Sequence, residues 1–117
     1  MQRLQNKFAL VTGGTSGIGL ETARQFIAEG ATVAVTGRTE EGLRAAQREL
    51  GESALLLRND AGSVAEQQAL AVSLRAQWPR LDVLYINAAD VTHQPLAAWD
   101  EAAFERMLAI NLKGPFF

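Results

Sequence analysis

Apolar residues in this chain fall in short blocks, separated by stretches with helical spacing. The blocks are Lys7–Thr12 (KFALVT), Thr32–Thr36 (TVAVT), Ala54–Arg58 (ALLLR) and Leu81–Ile86 (LDVLYI). Their nearly continuous apolar character predicts strands buried on both faces, as in a parallel sheet. The intervening stretches predict helices. In the first, Leu20, Ala23 and Ile27 share one face and Glu21, Gln25 and Glu29 another, and Gly30 is placed to stop it. In the second, Leu43, Ala46 and Leu50 form the inner stripe, followed by Gly51. The third opens with Ser63 and Glu66 at capping-box spacing, turns Leu70, Ala71, Leu74 and Trp78 inward, and closes at Pro79. A fourth helix should begin near Asp100.

Strand and helix thus alternate from end to end. Short connections and right-handed crossovers favour a doubly wound α/β sheet with helices on both faces. About four strands are present, and the expected order is 3-2-1-4. The ligand crevice of such a sheet lies at the carboxyl ends of strands 1 and 4, where the winding reverses.

Four glycines crowd the exit from the first strand, in ALVTGGTSGIGLETA, Ala9–Ala23. Glycine costs backbone entropy, and a tight turn needs only two or three residues. The loop enters a helix N-terminus, whose free N–H groups and partial positive charge suit a phosphate. Gly13, Gly17 and Gly19 would let backbone approach that phosphate and let the helix pack on the strand. Thr12, Ser16 and the local N–H groups would donate hydrogen bonds. The spacing is G-x-x-x-G-x-G, which is neither G-x-G-x-x-G nor a P-loop, because no lysine follows.

The segment TGGTSGIG, Thr12–Gly19, closely resembles the cofactor loop of short-chain dehydrogenases/reductases. Further matches follow in order: NDAGS with Asp60, INAAD with Asn87 and Ala88, and MLAINLKGPFF with Asn111. Ala89 stands where the family has glycine. The resemblance implies a Rossmann-type fold and hydride transfer between a nicotinamide cofactor and an alcohol or carbonyl. It implies cofactor contacts from Thr12, Gly13, Thr15, Ser16, Gly17, Ile18, Gly19, Asp60, Asn87, Ala88 and Ala89. Asp60 would meet the adenine ring. The spacing G-x-x-G-x-x-G of nucleotide-sugar epimerases does not match.

By register with the family, Gly37 occupies the place where an acidic residue would bind the ribose of NAD and repel NADP. Arg38 comes next, a fixed cation suited to a phosphate. NADP is therefore favoured over NAD. Arg38 as a solvated loop charge, or stacked on the adenine of either cofactor, stays open.

Phe104, Met107, Leu108 and Asn111 fall on one helical stripe, and Pro115 lies four residues past Asn111. The proline offers no N–H to the Asn111 carbonyl, so a kink and a free carbonyl are expected there. The resemblance makes Asn111 a support of the catalytic site, through a water bound to its main chain. A helix ending near Lys113–Gly114 is the alternative. His93 reads as a surface-loop histidine near the crevice, and Asp90 as a residue of the entrance.

Composition narrows the field. The 117 residues carry a formal net charge of -2, no cysteine and one histidine. Neither nucleic acid nor anionic lipid is an expected partner, and no metal site is expected. The start has too short an apolar run for a signal peptide or a membrane span, so a cytoplasmic protein is expected. The family's Tyr-x-x-x-Lys pair has no match, because the one tyrosine is Tyr85 and the lysines are Lys7 and Lys113. Residues 1–117 are therefore read as the amino-terminal half of a dehydrogenase, inactive by themselves. The alternative is a dinucleotide-binding module without turnover. The fourth helix is apolar most of the way round, which predicts burial and a homo-oligomer, dimer or tetramer.

Overall fold

A computed structural model describes residues 2–117. Strand β1 (Phe8–Val11) leads to helix α1 (Gly17–Ala28), then β2 (Thr32–Gly37) and α2 (Glu40–Leu50). Strand β3 (Leu55–Arg58), α3 (Val64–Gln77) and β4 (Val83–Tyr85) follow, then α4 (Glu101–Leu108). A π-helical turn (Ala109–Lys113) runs on into the short α5 (Gly114–Phe116). All strand pairs are parallel, in the order β3-β2-β1-β4, as the crossover rules predict. Among the described residues no helix is long and apolar enough to cross a membrane.

The two central strands are covered on both faces. Side chains alternate across a strand, so Ala9, Val11, Val33 and Val35 share one face with Ala23 of α1 and Leu50 of α2. Leu10 and Ala34 share the other with Leu74, and Leu70 and Trp78 pack against them. Each fully buried valine contributes about 1.5–3 kcal/mol, and Val11, Val33 and Val35 are among the largest such side chains.

The outer strands depart from expectation. Leu55, Leu56 and Leu57 are half-buried, and Leu84 is 51% exposed. Both strands are edges of this four-stranded sheet, so their outer flank has no neighbour. Strand β4 is also shorter than Leu81–Ile86, since it pairs with β1 alone. Ala71, expected inward, is exposed and lines an apolar trough with Leu84 and Ile86.

Helix ends follow local chemistry. The Thr39 hydroxyl accepts from the Gly42 N–H at 3.0 Å, and an Asp100 oxygen from the Ala103 N–H at 2.8 Å. Helix α1 stops at Gly30, whose φ is +94°, with the Ala31 N–H reaching back to the Phe26 carbonyl. The capping box of α3 is only half formed. The Ser63 hydroxyl accepts from the Glu66 N–H at 3.2 Å. The Glu66 carboxylate instead accepts from the Asp60 N–H at 3.0 Å and from Arg58 at 2.9 Å. A charged donor and an otherwise free loop amide outcompete the Ser63 N–H, which bonds the Asp60 carbonyl.

Helix α4 contradicts the expected burial. None of its residues is buried, and Phe104 is 50% exposed. Contact with the sheet side of the molecule comes later, through Ile110 and Gly114, both buried. The disruption expected before Pro115 takes the form of the π turn, in which the Gly114 N–H reaches the Ala109 carbonyl. The helix does not end at Lys113–Gly114. A Cβ added at Gly114 would lie 1.6 Å from the Ala61 carbonyl oxygen, so backbone meets backbone here.

Two predictions follow from this frame. Gly114→Ala must force the π turn away from the loop after β3, and its thermal midpoint should fall by an amount equivalent to roughly 1–3 kcal/mol. Circular dichroism melting checks this, and an unchanged midpoint contradicts the packing. The second concerns acid. Asp82 accepts from the Phe8 N–H at 2.8 Å and from Arg80, which hold its carboxyl below the usual range. A depressed native pKa stabilises fully above the unfolded value, and the gain is lost as pH falls through the native value. Asp82→Asn should therefore melt with a shallower loss of stability below about pH 4 than the parent.

Candidate functional site

The carboxyl ends of β1 and β4 open onto a cleft of about 610 Å³, lined by the glycine loop, the ends of β2 and β3, and residues 87–92. Its floor is set by Thr12, which is buried. The Thr12 hydroxyl accepts from the Asn87 N–H at 2.9 Å and from the Ala88 N–H at 3.1 Å, and lies 3.5 Å from the Tyr85 carbonyl. Thr12 therefore joins β1 to the loop after β4. This corrects the expectation that it donates to a bound phosphate, because its hydroxyl is occupied inside the protein.

The glycines divide by task. Gly13 has φ +65°, and a Cβ there would stand 2.9 Å from the Ala88 Cα. A Cβ at Gly19 would stand 2.5 Å from the Gly13 carbonyl oxygen and 2.6 Å from the Asn87 Nδ2. Those two glycines let α1 and the loop after β4 close on β1. Gly17 differs: its φ is +56°, and a Cβ there would meet nothing within 4 Å. It faces open space.

Around that space the backbone donors are free. Among the described residues, the N–H groups of Thr15, Ser16, Gly17, Ile18 and Gly19 have no protein partner. Ser16 is the N-cap of α1, yet its side chain caps nothing and the first turn holds no acidic residue. The end thus keeps its full partial positive charge. Ile18 is 72% exposed, and its side chain lines a different groove, with Leu4 and Phe26.

Arg38 follows the end of β2, is exposed, lines the cleft, and makes no ion pair among the described residues. Asp60 lines the cleft from the end of β3, one oxygen accepting from the Gly62 N–H at 2.9 Å. Its neighbour Asn59 was not anticipated. Asn59 is 3% exposed and lines the same wall, and its Oδ1 has no partner among the described residues. The signal was there to read: an amide directly after LLLR, at a strand end.

On the opposite wall, the Asn87 amide donates to the Gly13 carbonyl at 3.2 Å. Ala88 and Ala89 line the cleft with ordinary negative φ, so the alanine in place of glycine brings no strain. Asn111 reaches this wall from the π turn. Its Oδ1 accepts from the Asp90 N–H at 2.8 Å, and its Nδ2 donates to the Asp90 carbonyl at 2.9 Å. The Asp90 carboxylate is held below the usual range, chiefly by the Thr92 hydroxyl and N–H, with weaker pulls from Arg106 and Arg38. His93 is exposed and lies outside the cleft lining, and Tyr85 packs against the core.

Gly13, Thr15 and Ser16 of the glycine loop, Arg38, Asp60 and residues 87–89 thus line one cavity, Asn111 touches it through Asp90, and Gly17, Ile18 and Gly19 lie outside its lining. Comparison with known proteins places this arrangement. The family model for short chain dehydrogenase matches residues 7–117. The chain is 35% identical to galactitol 2-dehydrogenase of Agrobacterium fabrum, over 98% of this chain and 45% of that protein. It is 39% identical to the NADP-dependent 3-hydroxy acid dehydrogenase YdfG of Salmonella typhi, over 90% of this chain and 43% of that protein. A solved short chain dehydrogenase/reductase family protein superposes with a TM-score of 0.88 at 38% identity, covering 98% of this chain and 47% of that one. The chain spans about half the length of these relatives. A family model that covers nearly every residue, on a sheet of the same architecture, shows that the chain belongs to the short chain dehydrogenase family.

Proposed function

We propose that these residues form the dinucleotide-binding half of an NAD(P)-dependent oxidoreductase acting on an alcohol or carbonyl substrate. The observation that carries this is the row of unpartnered N–H groups from Thr15 to Gly19 around the open face of Gly17. Helix N-terminal N–H groups left to water, with an uncompensated partial positive charge, are a ready site for an anion. A pyrophosphate fits both their number and their charge. Asp60 and Asn59 would meet the adenine end, and Asn87, Ala88 and Ala89 the nicotinamide ribose. When bound, the nicotinamide supplies or accepts the hydride. Asn111 holds the 87–92 wall through Asp90 and supports the reacting end from there.

NADP is the favoured cofactor. Gly37 brings no carboxylate to the end of β2, and Arg38 is free to take a phosphate. The NADP-dependence in the name of one relative agrees with this. Hydride transfer to a carbonyl also needs a proton donor, and no Tyr-x-x-x-Lys pair lies within these 117 residues. The residues alone therefore bind cofactor without turnover. A dinucleotide-binding module without turnover is the second reading. The intact protein separates the two: oxidation of any alcohol in a panel with NADP supports the enzyme.

The exposed apolar residues Phe104, Leu108 and Leu112 support self-association into a dimer or tetramer. Light scattering of the intact protein at micromolar concentration should give more than the monomer mass.

Calorimetry tests the binding site itself. The intact protein should bind NADP more tightly than NAD. Gly17→Asp places a carboxylate among the free N–H groups, where nothing in the protein obstructs it. It should weaken NADP by at least about 100-fold, while the left-handed backbone costs only about 1–2 kcal/mol of stability. Arg38→Ala should weaken NADP roughly 10-fold or more and leave NAD nearly unchanged. Equal losses for both dinucleotides would remove Arg38 from the phosphate.

A further inference from the structure

The end of β2 is closed from an unexpected side. A Cβ added at Gly37 would stand 2.4 Å from the Thr15 Cγ2 and 3.3 Å from the Thr15 Oγ1. Real Cβ atoms do not approach that closely, so Thr15 occupies the space in which a side chain at position 37 would begin. Thr15 is a residue of the glycine loop, and both it and Gly37 line the cleft. We infer that Thr15 acts as a specificity residue, excluding a ribose-reading carboxylate from position 37 by filling its place and so leaving the end of β2 to a phosphate. The inference rests on the dinucleotide reading above and deepens it.

The loop cannot simply drift aside. The Gly14 N–H donates to the Thr36 carbonyl at 3.0 Å, and the Gly13 N–H donates to the Thr36 hydroxyl at 3.2 Å. Both bonds end on the residue before Gly37. They fix the backbone just ahead of Thr15 against the strand whose end it covers. The neighbouring glycine is packed as well, since a Cβ at Gly14 would stand 2.7 Å from the Val35 side chain.

Side-chain rotation relieves the contact in one way only. Both heavy branches of Thr15 lie toward Gly37, at 2.4 and 3.3 Å from the added Cβ. Of the three staggered χ1 positions, only the one that turns the Cβ hydrogen to Gly37 clears the space. Leu43, whose Cδ2 lies 3.3 Å from the same point, closes the far side with a flexible end that can yield. Thr15 is thus the obstacle, and cutting it back to alanine removes both branches at once.

An acidic residue at this strand end binds the two ribose hydroxyls of NAD and repels the phosphate of NADP. Gly37 is therefore not a neutral gap into which such a residue can be inserted. The choice of cofactor is made by two positions acting together, 22 apart in sequence, of which only one sits on the strand.

The test is a cycle in the intact protein, with NADP and NAD as probes in calorimetry. Gly37→Asp alone should lose about tenfold in NADP affinity and gain less than about threefold for NAD, because the carboxylate cannot take up its place. Thr15→Ala with Gly37→Asp should gain about tenfold for NAD over the parent. If Gly37→Asp alone gains as much NAD affinity as the double variant, or the double variant gains none, the inference is wrong. A ligand-free cycle guards against misfolding of the charged variants. Gly37→Ala should lower the thermal midpoint by several degrees, and Thr15→Ala with Gly37→Ala should recover most of that loss. Additive losses would show that Thr15 does not hold the space. A parent that binds neither dinucleotide sinks the functional reading and this inference together. A parent that binds NADP, with no coupling between positions 15 and 37, sinks the inference alone.

Discussion

One buried hydroxyl fastens the loop after β4 to the end of β1 and so fixes one wall of the cleft. Thr12 follows β1 directly, and its oxygen accepts two consecutive N–H groups, those of Asn87 and Ala88, from the loop after β4. A buried amide left without a partner costs about 1–3 kcal/mol. The loop therefore cannot lift from β1 without losing two such bonds together. Once it is held there, the Ala88 backbone lies against Gly13, and the Asn87 amide reaches the Gly13 carbonyl. That carbonyl in turn faces Gly19 of α1. Strand, helix and loop meet around a group of atoms that tolerates no added methyl at position 13 or 19.

The glycine with open space beside it is then a different one. Gly13, Gly14 and Gly19 are closed in by protein, whereas Gly17 has open space beside it. Packing explains the first three, whereas at Gly17 only the left-handed backbone, φ +56°, calls for glycine. The distinction matters because glycine spacing alone treats all of these positions alike. The N–H groups without a protein partner, Thr15 to Gly19, run through Gly17. The same loop, stitched to Thr36, sets Thr15 over the end of β2. The loop's free N–H groups and its contact with the end of β2 thus belong to one piece of backbone.

The parts of this structure legible in the sequence are those decided by local pattern. Central strands buried on both faces read as unbroken apolar runs, and β1 and β2 matched. The order β3-β2-β1-β4 followed from alternation and handedness. Less legible was whatever depends on a distant partner. Thr12 looked like a phosphate donor because its occupants, Asn87 and Ala88, lie some 75 positions away. Glu66 stood at capping distance from Ser63, but Arg58 and the Asp60 amide took its carboxylate. Ala71 and α4 had apolar patterns that promised burial, yet an apolar pattern does not say which element covers it. Here neither is covered. Asn59 escaped notice because an amide beside an acidic residue looks like a turn, and only its burial marks it out.

The π turn shows how local disruption becomes useful geometry. Pro115 withholds an N–H, and the helix widens over Ala109–Lys113 instead of stopping. The widened turn makes two contacts in opposite directions. Through Gly114 its backbone lies on the Ala61 carbonyl, in the loop that carries Asp60. Through the Asn111 amide it holds both polar groups of the Asp90 backbone, in the loop that carries Ala88 and Ala89. Those two loops are opposite walls of the cleft. A regular α-helix advances about 100° per residue, whereas a π turn shifts that register by adding a residue. Side chains after the bulge therefore point where an unbroken helix would not send them. Glycine at 114 removes the methyl that would hold the turn off the β3 loop, and asparagine at 111 supplies a donor and an acceptor at once. Asp90 offers one of each, so an aspartate or a leucine at 111 would satisfy at most one. The residue types at these two positions are thus fixed by the need to grip both walls from one short segment.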